Sequence, residues 1–273
     1  MNFLDKLRAA SRKNRSLLCV GLDPDPKKMP ENLRVFEFNQ AIIEATSDLV
    51  CAYKPNMAFY EALGIYGMDE LVRTLRVIPP DIPIIVDAKR GDIGNTSAAY
   101  AHALFDVYGF DAATINPYLG FDAVEPFIRY ADKGIFILCR TSNSGAGDFQ
   151  SLVCVFQHQT RPLFEIVAEK ASQWNTFGNI GLVVGATYPE ELKLLRQQHP
   201  HMPFLIPGVG TQGGDVELTV KYGLSLDGDK AIINSSRQIL YASRGRDFAQ
   251  RARQAAQAIR DEINLHRADL NIN

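Results

Sequence analysis

The chain has 273 residues, 46% of them hydrophobic and 22% charged, which is enough apolar material for one large core or two small ones. Because 29 Lys and Arg nearly balance 31 Asp and Glu, the formal net charge of −2 excludes a general attraction to nucleic acid or to an anionic membrane surface. No apolar run approaches the roughly 18 residues of a membrane span, and no shift in composition divides the chain, so we expect a cytoplasmic protein with one domain over residues 1–273.

The first predicted element is an N-terminal helix over about residues 2–13. The segment MNFLDKLRAASRKNRS is basic and amphipathic, as transit peptides also are, but Asp5 and the shortness of the segment favour a helix of the fold. It lacks the apolar centre of a signal peptide. The four cysteines of the chain form no C-x-x-C pair and no histidine lies at metal-ligand spacing, so we expect reduced thiols and no metal site.

Short apolar runs rich in Val, Ile, Leu and Ala then alternate with longer stretches of helical periodicity, such as FEFNQAIIEATSDL and PLFEIVAEKASQW. The eight apolar runs are predicted strands and cover residues 17–23, 49–59, 82–89, 111–118, 134–142, 180–187, 203–210 and 231–237. Repeated alternation of an apolar strand with an amphipathic helix is typical of a parallel sheet covered by helices.

Eight strand–helix units in a chain of this size predict an α/β fold of the (β/α)8 TIM barrel type, in which chemistry takes place at the carboxyl ends of the strands. An open, doubly wound parallel sheet is the alternative. A long irregular stretch over about residues 143–160 follows the fifth predicted strand and would lie on the active face of the barrel. Loops of that length are often functional, and we predict a functional loop here.

Polar side chains stand at the ends of most of these strands. A single polar strand end is usually no more than a solvated position, but the carboxyl ends of parallel strands in a barrel converge on one face. The candidates on that face are Asp23, Lys54, Asp87, Lys89, Ser142, Gln212, Ser235, Ser236 and Arg237.

The segment VDAKRGD in the third predicted strand holds the most informative charges. Asp87 and Lys89 are two residues apart and point to the same side, and Ile85 on that side indicates the barrel interior. Lys54 on the neighbouring strand and Asp92 in the following turn would complete an alternation of ammonium and carboxylate groups. A structural ion-pair network is the alternative, but burying one costs desolvation without a clear gain in stability, so we predict a catalytic array.

Such an array suits a decarboxylase. An ammonium held next to a carbon that develops negative charge stabilises the carbanion and can then protonate it. A nearby carboxylate disfavours the carboxylate of the substrate more than the anion that replaces it. This chemistry requires no metal.

The segment PGVGTQGGD contains Gly208, Gly210 and Gly213 at the G-x-G-x-x-G spacing of dinucleotide-binding turns. In a dinucleotide-binding fold, however, the pattern normally follows the first strand, whereas here it follows the seventh. The turns after strands seven and eight of a barrel are the usual phosphate site. We therefore favour a monophosphate site in which the glycines admit the phosphate to the backbone and Gln212 and Arg237 donate hydrogen bonds.

Seven motifs spread over nearly the whole chain carry a family resemblance. They are LLCVGLDPDP, YKPNMAFYE, IIVDAKRGDIGNTSAAYA, INPYLG, CRTSNSGA, IPGVGTQGGD and NSSRQILYA. In these motifs, and above all in the order D-x-K-x-x-D-I-x-N-T, the chain resembles orotidine 5'-phosphate decarboxylases, in particular their longer bacterial branch. The resemblance implies a (β/α)8 barrel that forms a homodimer at the strand mouths. It also implies conversion of orotidine 5'-monophosphate to UMP and CO2 without a cofactor, in pyrimidine biosynthesis.

The resemblance also implies roles for individual residues. The charged array of the family corresponds to Lys54, Asp87, Lys89 and Asp92, with Lys89 as the proton donor to C6 of the pyrimidine. Asp92 and Thr96 would reach into the active site of the partner subunit.

Further substrate contacts follow from the same resemblance. Asp23 is the implied ligand of the ribose, and Ser142 is the implied contact to the pyrimidine. The implied ligands of the phosphate are Gln212, Arg237 and the amide of Ser236. Many relatives have glycine at the position of Ser236, a change that keeps the backbone donor. Ser144 lies two residues beyond Ser142 and is the alternative contact to the pyrimidine.

Two other functions stay open at this level. One is a metal-dependent sugar-phosphate decarboxylase or aldol-type synthase of the same barrel superfamily, which has a related D-x-K-x-x-D strand and needs magnesium held by carboxylates. The other is a barrel that binds nucleotides without catalysis. Lysines that alternate with the carboxylates repel a cation, and mere binding does not require a buried lysine between acids, so the cofactor-free decarboxylase is favoured.

Overall fold

The computed structural model describes residues 1–210 and 213–270. The strands within these ranges are β1 (Leu18–Leu22), β2 (Ala52–Pro55), β3 (Ile85–Arg90), β4 (Ala112–Ile115), β5 (Gly134–Arg140), β6 (Val153–Phe156), β7 (Gln159–Pro162), β8 (Ile180–Val184), β9 (Phe204–Pro207) and β10 (Ala231–Ser235). The α-helices are α1 (Phe3–Asn14), α2 (Val35–Thr46), α3 (Met57–Glu61), α4 (Gly64–Val77), α5 (Gly94–His102), α6 (Phe121–Ile128), α7 (Leu163–Trp174), α8 (Pro189–Gln198), α9 (Val216–Gly223), α10 (Arg237–Leu240) and α11 (Phe248–Asp269). Over those two ranges, no helix is both long and apolar enough to cross a lipid bilayer.

Eight of the strands form one parallel sheet in the order β2-β1-β10-β9-β8-β5-β4-β3. The two ends of this order meet, because parallel bridges join Tyr53 to Ile84 and Asn56 to Asp87, between β2 and β3. Strands of the sheet that follow one another along the chain are neighbours throughout, whereas the strand order of an open doubly wound sheet reverses at its centre. The predicted (β/α)8 barrel is confirmed.

Side chains from all eight barrel strands fill the barrel interior. This cluster comprises Cys19, Ala52, Ile85, Ala112, Phe136, Val183, Leu205 and Ile232, with Cys51, Phe3 and Leu7 packed against them. Ile85 therefore faces the interior, as the alternation in β3 predicted. Because α1 supplies Phe3, whose ring lies edge-on to that of Phe136 at 5.7 Å, the N-terminal helix closes the end of the barrel opposite the strand mouths.

Local capping explains where two elements begin. The predicted N-terminal helix is α1, and it begins at Phe3 because the side chain of Asn2 accepts a hydrogen bond from Asp5 N at 2.9 Å. The second predicted strand, over residues 49–59, was too long at both ends. It stops at Pro55 because Asn56 caps a helix that follows at once, its side chain accepting a hydrogen bond from Ala58 N.

The stretch over residues 143–160, predicted as an irregular loop, contains regular structure. A 3-10 helix spans Ser144–Asp148, and β6 and β7 form an antiparallel hairpin outside the barrel. The hairpin turns at Gln157 and His158, whose φ angles of 49° and 63° are those of a tight two-residue turn. Because such turns are usually made by Asn-Gly or Asp-Gly, the sequence carried no recognisable signal for this hairpin.

Candidate active site

A cavity of about 540 Å³ opens at the carboxyl ends of the barrel strands. Most of the residues that the sequence singled out lie on its wall. Those that line it are Asp23, Lys54, Asp87, Lys89, Ser142, Gly208, Ser236 and Arg237. Gln212 lies outside the described residues.

Asp87 is the centre of the charged group in this cavity. Its Oδ1 lies 2.5 Å from the ammonium of Lys89 and its Oδ2 lies 3.3 Å from the ammonium of Lys54. Thr114 Oγ1 donates to Oδ1 at 3.0 Å, and the amide of Asn56 donates to Oδ2 at 3.4 Å. Both carboxylate oxygens are thus held by a cation and a neutral donor, which fixes the orientation of the carboxylate.

The opposite charges of Lys54, Asp87 and Lys89 offset the cost of burying charged groups. Burial disfavours the charged form of Lys54, whose side chain is 4% exposed, but the carboxylates of Asp23 and Asp87 outweigh burial and raise the pKa of Lys54 well above its usual value. Burial also acts to raise the pKa of Asp87, yet Lys54 and Lys89 together hold it well below its usual range. Lys54 and Asp87 are therefore both ionised at neutral pH.

The second carboxylate near Lys54 is Asp23. It is not Asp92, which the spacing of charges alone predicted beside Lys54 and which the family resemblance implied for the site of the partner subunit. Asp92 lies in the turn after β3, where its Oδ1 accepts a hydrogen bond from Ile93 N at 2.8 Å. Neither Asp92 nor Thr96, an exposed residue of α5, is on the wall of the cavity formed by its own chain. One chain brings together Lys54, Asp87 and Lys89 and leaves Asp92 apart from them.

The backbone at Lys89 departs from a regular strand. Lys89 has a φ of 48°, in the left-handed region that non-glycine residues seldom adopt, and the register between β3 and β4 shifts between Val86 and Arg90. Thr114 Oγ1 accepts a hydrogen bond from Lys89 N at 3.0 Å and so supports this bulge. Strained backbone of this kind is often found at functional sites. The side chain of Lys89 is 48% exposed, so its ammonium is accessible to a ligand in the cavity.

The three glycines of the turn after β9 are described on either side of residues 211–212. Gly208, Gly210 and Gly213 have φ angles of 103°, 84° and 84°, which only glycine adopts easily. Gly208 lines the cavity, whereas Gly210 lies against α10, where a Cβ would meet Gln238 Oε1 at 1.9 Å. Arg237, the first residue of α10, also lines the cavity and forms no ion pair with any described residue. The guanidinium is therefore available to an anion.

The predicted pyrimidine contacts differ in position. Ser142 follows β5 and lines the cavity, whereas Ser144 is exposed at the start of the 3-10 helix and does not. The placement makes Ser142 the better candidate of the two.

Sequence reasoning missed several residues of the cavity wall. The polar ones among them include Asp25, Lys28, Asn56, Thr114 and Tyr241. The sequence could have indicated Thr114, because it is a polar residue between the apolar residues Ala113 and Ile115 of the predicted strand DAATINPY. Tyr241 lies in the motif NSSRQILYA, but its position after Ile239 and Leu240 does not distinguish it from an ordinary core residue.

A parallel eight-stranded barrel with a charged cavity at its strand mouths is the arrangement of (β/α)8-barrel enzymes. The family model described as orotidine 5'-phosphate decarboxylase / HUMPS family matches residues 16–252. The chain belongs to this family.

Individual relatives agree with that assignment. The chain is 59% identical over 240 residues to an orotidine 5'-phosphate decarboxylase of Dehalococcoides mccartyi, covering 88% of this chain and 89% of the relative. It is 55% identical over 244 residues to the protein of the same name in Herpetosiphon aurantiacus, covering 87% and 89%. Among solved structures, the OMP decarboxylase of Leishmania donovani superimposes with a TM-score of 0.85 at 40% identity, covering 98% of this chain and 99% of that one.

Proposed function

We propose that this chain is an orotidine 5'-phosphate decarboxylase that converts orotidine 5'-monophosphate to UMP and CO2. The observation that carries the proposal is the carboxylate of Asp87 held between the ammonium groups of Lys54 and Lys89 on the wall of a cavity. Arg237, a cation without an ionic partner among the described residues, lines the same cavity next to a glycine turn, as a site for a phosphorylated substrate requires. Relatives that are more than half identical carry this name.

In the proposed mechanism Lys89 is the acid. The bond from C6 of the pyrimidine to its carboxylate breaks, CO2 leaves and the electron pair stays on C6. The ammonium of Lys89 stabilises this carbanion and transfers a proton to C6, which gives UMP. Because Lys89 is half exposed, solvent can return the proton to its amine.

Asp87 and Lys54 have complementary roles in this proposal. The carboxylate of Asp87 repels the carboxylate of the bound substrate, and the repulsion is relieved when neutral CO2 forms, so the effect favours the transition state over the ground state. Lys54 keeps Asp87 ionised and in place through the contact at 3.3 Å. Without Lys54, burial of the Asp87 charge would favour the neutral acid.

Other residues of the cavity wall are proposed to bind the phosphate, the ribose and the base of the substrate. Arg237 donates to the phosphate with its guanidinium, and the amide of Ser236 and the glycine turn present backbone donors. Asp23 is proposed to bind the ribose hydroxyl groups and Ser142 the pyrimidine. Gln212 keeps its proposed place at the phosphate on the strength of the motif alone.

A homodimer with shared active sites is part of the proposal. Asp92 and Thr96 lie outside the cavity of their own chain, although the motif that contains them also contains Asp87 and Lys89. Exposed apolar side chains surround the same loops, namely Ile93, Tyr100, Tyr118, Leu119 and Phe121. An apolar surface of this kind is typical of an interface. We infer that a second copy covers it and receives Asp92 and Thr96 into its cavity.

The pathway and the cellular location are also part of the proposal. UMP formation from an orotidine nucleotide is a step of de novo pyrimidine biosynthesis, and we place the enzyme in the cytoplasm.

The test is a spectrophotometric assay of orotidine 5'-monophosphate loss by the purified chain in the presence of a chelator. We expect turnover with the chelator present, because two lysines alternate with the carboxylates and the described residues hold no cluster of three metal-ligating acids, histidines or cysteines. Activity that chelator abolishes and magnesium restores would favour the metal-dependent sugar-phosphate enzyme. Binding of UMP without turnover of the substrate would favour a non-catalytic nucleotide-binding barrel.

A further inference from the structure

The hydroxyl of Tyr241, the residue after α10, binds the backbone of the loop that follows β1. It donates to the carbonyl of Asp23 at 2.8 Å and accepts from the amide of Asp25 at 2.7 Å. Tyr241 follows α10 directly, and its own amide donates to the carbonyl of Arg237 at 3.1 Å. One phenol thus connects the segment of the candidate phosphate ligand with the segment of the candidate ribose ligand.

The sequence of the loop after β1 leaves few backbone amides that could anchor its first residues. In DPDP, Pro24 and Pro26 have no N–H, so half of the backbone donors that could anchor the segment are missing. The amide of Asp25 is one of those that remain, and it donates to Tyr241. The Asp23 carbonyl and the Asp25 amide, on the two sides of Pro24, therefore bind the same side chain.

The ring of Tyr241 is itself fixed. It stacks on Phe38, with ring centres 6.2 Å apart and planes 14° apart, and Phe38 stacks in turn on Phe248 of α11. Lys28 lies 5.7 Å from the centre of the Tyr241 ring. Burial raises the pKa of Tyr241 to about 12, so its hydroxyl stays protonated and able to donate at neutral pH.

The loop that Tyr241 holds carries a charge of the active site. The side chain of Asp23 lines the cavity, its Oδ1 is buried with no hydrogen-bond partner among the described residues, and its charge is one of the two that keep Lys54 protonated. A shift of the Asp23 backbone would move this carboxylate relative to both Lys54 and the substrate.

We propose that Tyr241 is a positioning residue that sets the place of Asp23 relative to Arg237, so that the phosphate end and the charged end of the cavity fit one substrate at the same time. The proposal rests on the proposed function. Tyr241 acts through Asp23 and touches no reacting atom in this scheme. Its loss should weaken binding and turnover together, whereas a merely structural role would lower only the amount of folded protein.

The test is a double-mutant cycle with Tyr241→Phe and Asp23→Asn. The Phe variant keeps the ring on Phe38 and removes only the hydroxyl. We expect Tyr241→Phe to lower kcat/KM for orotidine 5'-monophosphate about tenfold, with a rise in KM, and to lower it less than about twofold when Asp23 is already Asn. Tyr130→Phe is the matched control, because it removes a hydroxyl bound to Asp106 at 2.6 Å on a side chain that does not line the cavity. It should leave kcat/KM and KM unchanged.

Two results would overturn the proposal, namely a Tyr241→Phe variant within about twofold of wild type, or losses that multiply across the cycle as for independent sites. The same double-mutant cycle can be measured by calorimetric titration with UMP, and this measurement separates the proposal from the proposed function.

If the wild type bound UMP without decarboxylating the substrate, the proposed function would fail. The dissociation constants would still show whether Tyr241 and Asp23 are coupled. A wild type that bound no UMP would overturn both. Should Tyr241→Phe fail to fold, 3,5-difluorotyrosine at position 241 gives a second measurement, because kcat/KM should then fall with rising pH as the more acidic phenol loses its donor proton.

Discussion

The side chain of Ser236 occupies the space that Gly21 leaves free. A Cβ on Gly21, in β1, would lie 1.8 Å from Ser236 Oγ and 2.9 Å from Ser236 Cβ. Rotation of the serine side chain could relieve the first contact, but Cβ moves only with the backbone. The residue types at these two positions, one in β1 and one directly after β10, therefore depend on each other.

We predict that Gly21→Ala lowers kcat/KM by about tenfold or more and destabilises the fold by about 1–3 kcal/mol, because the added methyl group displaces the backbone of Ser236. Adding Ser236→Gly removes the side chain that the new methyl group meets, so the double variant should regain much of the lost activity and stability. The recovery should be incomplete, because Asp23 Oδ2 would still lie 3.1 Å from the added Cβ. Kinetics and denaturant unfolding of the two single variants and the double variant measure this. Gly147→Ala is the control for stability, since its Cβ would meet nothing within 4 Å. Additive losses in the double variant would contradict the coupling.

Lys89→Ala should remove nearly all turnover and leave the fold intact, because the ammonium acts on charge that is present only in the transition state. Steady-state kinetics and circular dichroism measure the two effects. Lys13→Ala is the matched control, because Lys13 also pairs with an aspartate, Asp81, at 2.6 Å, but lies on α1 at the opposite end of the barrel. More than about a tenth of wild-type turnover in Lys89→Ala, a loss below ~1.4 kcal/mol, would mean that the role is misassigned.

Binding of the phosphate should contribute to the chemical step as well as to affinity. Arg237→Ala, or a substrate without its phosphate, should lower kcat/KM by several orders of magnitude. Phosphite dianion added in solution should restore part of the loss with the truncated substrate, since it fills the same site. Arg129→Ala, which removes an exposed arginine paired with Glu125, is the control. An equal rate with and without the phosphate would refute this role.

A mixture of two inactive variants tests the shared site. If Asp92 acts across the dimer, a heterodimer of Lys89→Ala and Asp92→Ala chains has one site with both changes and one site with neither. About half of the wild-type activity should then return per heterodimer. Subunit exchange is verified independently by pull-down of tagged chains. Activity that stays at the level of the parents after verified exchange would place Asp92 in the site of its own chain and remove Thr96 from that of the partner.

Asp87 should make the stability of the protein depend on pH in acid. Burial opposes ionisation of Asp87, but Lys54 and Lys89 outweigh it, and its pKa is lower in the folded chain than the ~3.9 of an unfolded one. A carboxylate with a lowered pKa contributes stability above its unfolded pKa and loses it as pH falls through the folded value. The excess stability of wild type over Asp87→Asn, on the order of 3 kcal/mol at pH 6, should therefore decrease between about pH 4 and pH 2.

Urea unfolding of both proteins across this pH range measures the difference. Asp81→Asn is the control, because Asp81 also pairs with a lysine and also has a lowered pKa, but it lies at the surface. Its effect should have the same sign and a smaller size, since solvent screens exposed pairs. A difference between wild type and Asp87→Asn that grew in acid would show that Asp87 is neutral in the folded protein.

The sequence by itself determined the barrel and most of the charged residues on the cavity wall. Apolar strands and amphipathic helices are local patterns, and their alternation requires a parallel sheet covered by helices. Because the carboxyl ends of parallel strands meet on one face, Lys54 and Asp87 could be placed together without any knowledge of their distance. Element boundaries were less certain, since Asn56 ends the second strand through a hydrogen bond that periodicity does not report.

Only the tertiary structure decided which of these side chains touch. Three such contacts join segments that are distant in sequence. They are the approach of Asp23 to Lys54, the hydrogen bond from Thr114 to Asp87, and the hydrogen bond from the Tyr241 hydroxyl to the Asp23 carbonyl. Such contacts depend on the register between strands and on the bulge that turns the backbone at Lys89. The contact of Ser236 also depends on the space that Gly21 leaves free. Hydrophobic periodicity reports which face of an element is buried and carries no information on the register between elements, so these relationships follow from packing alone.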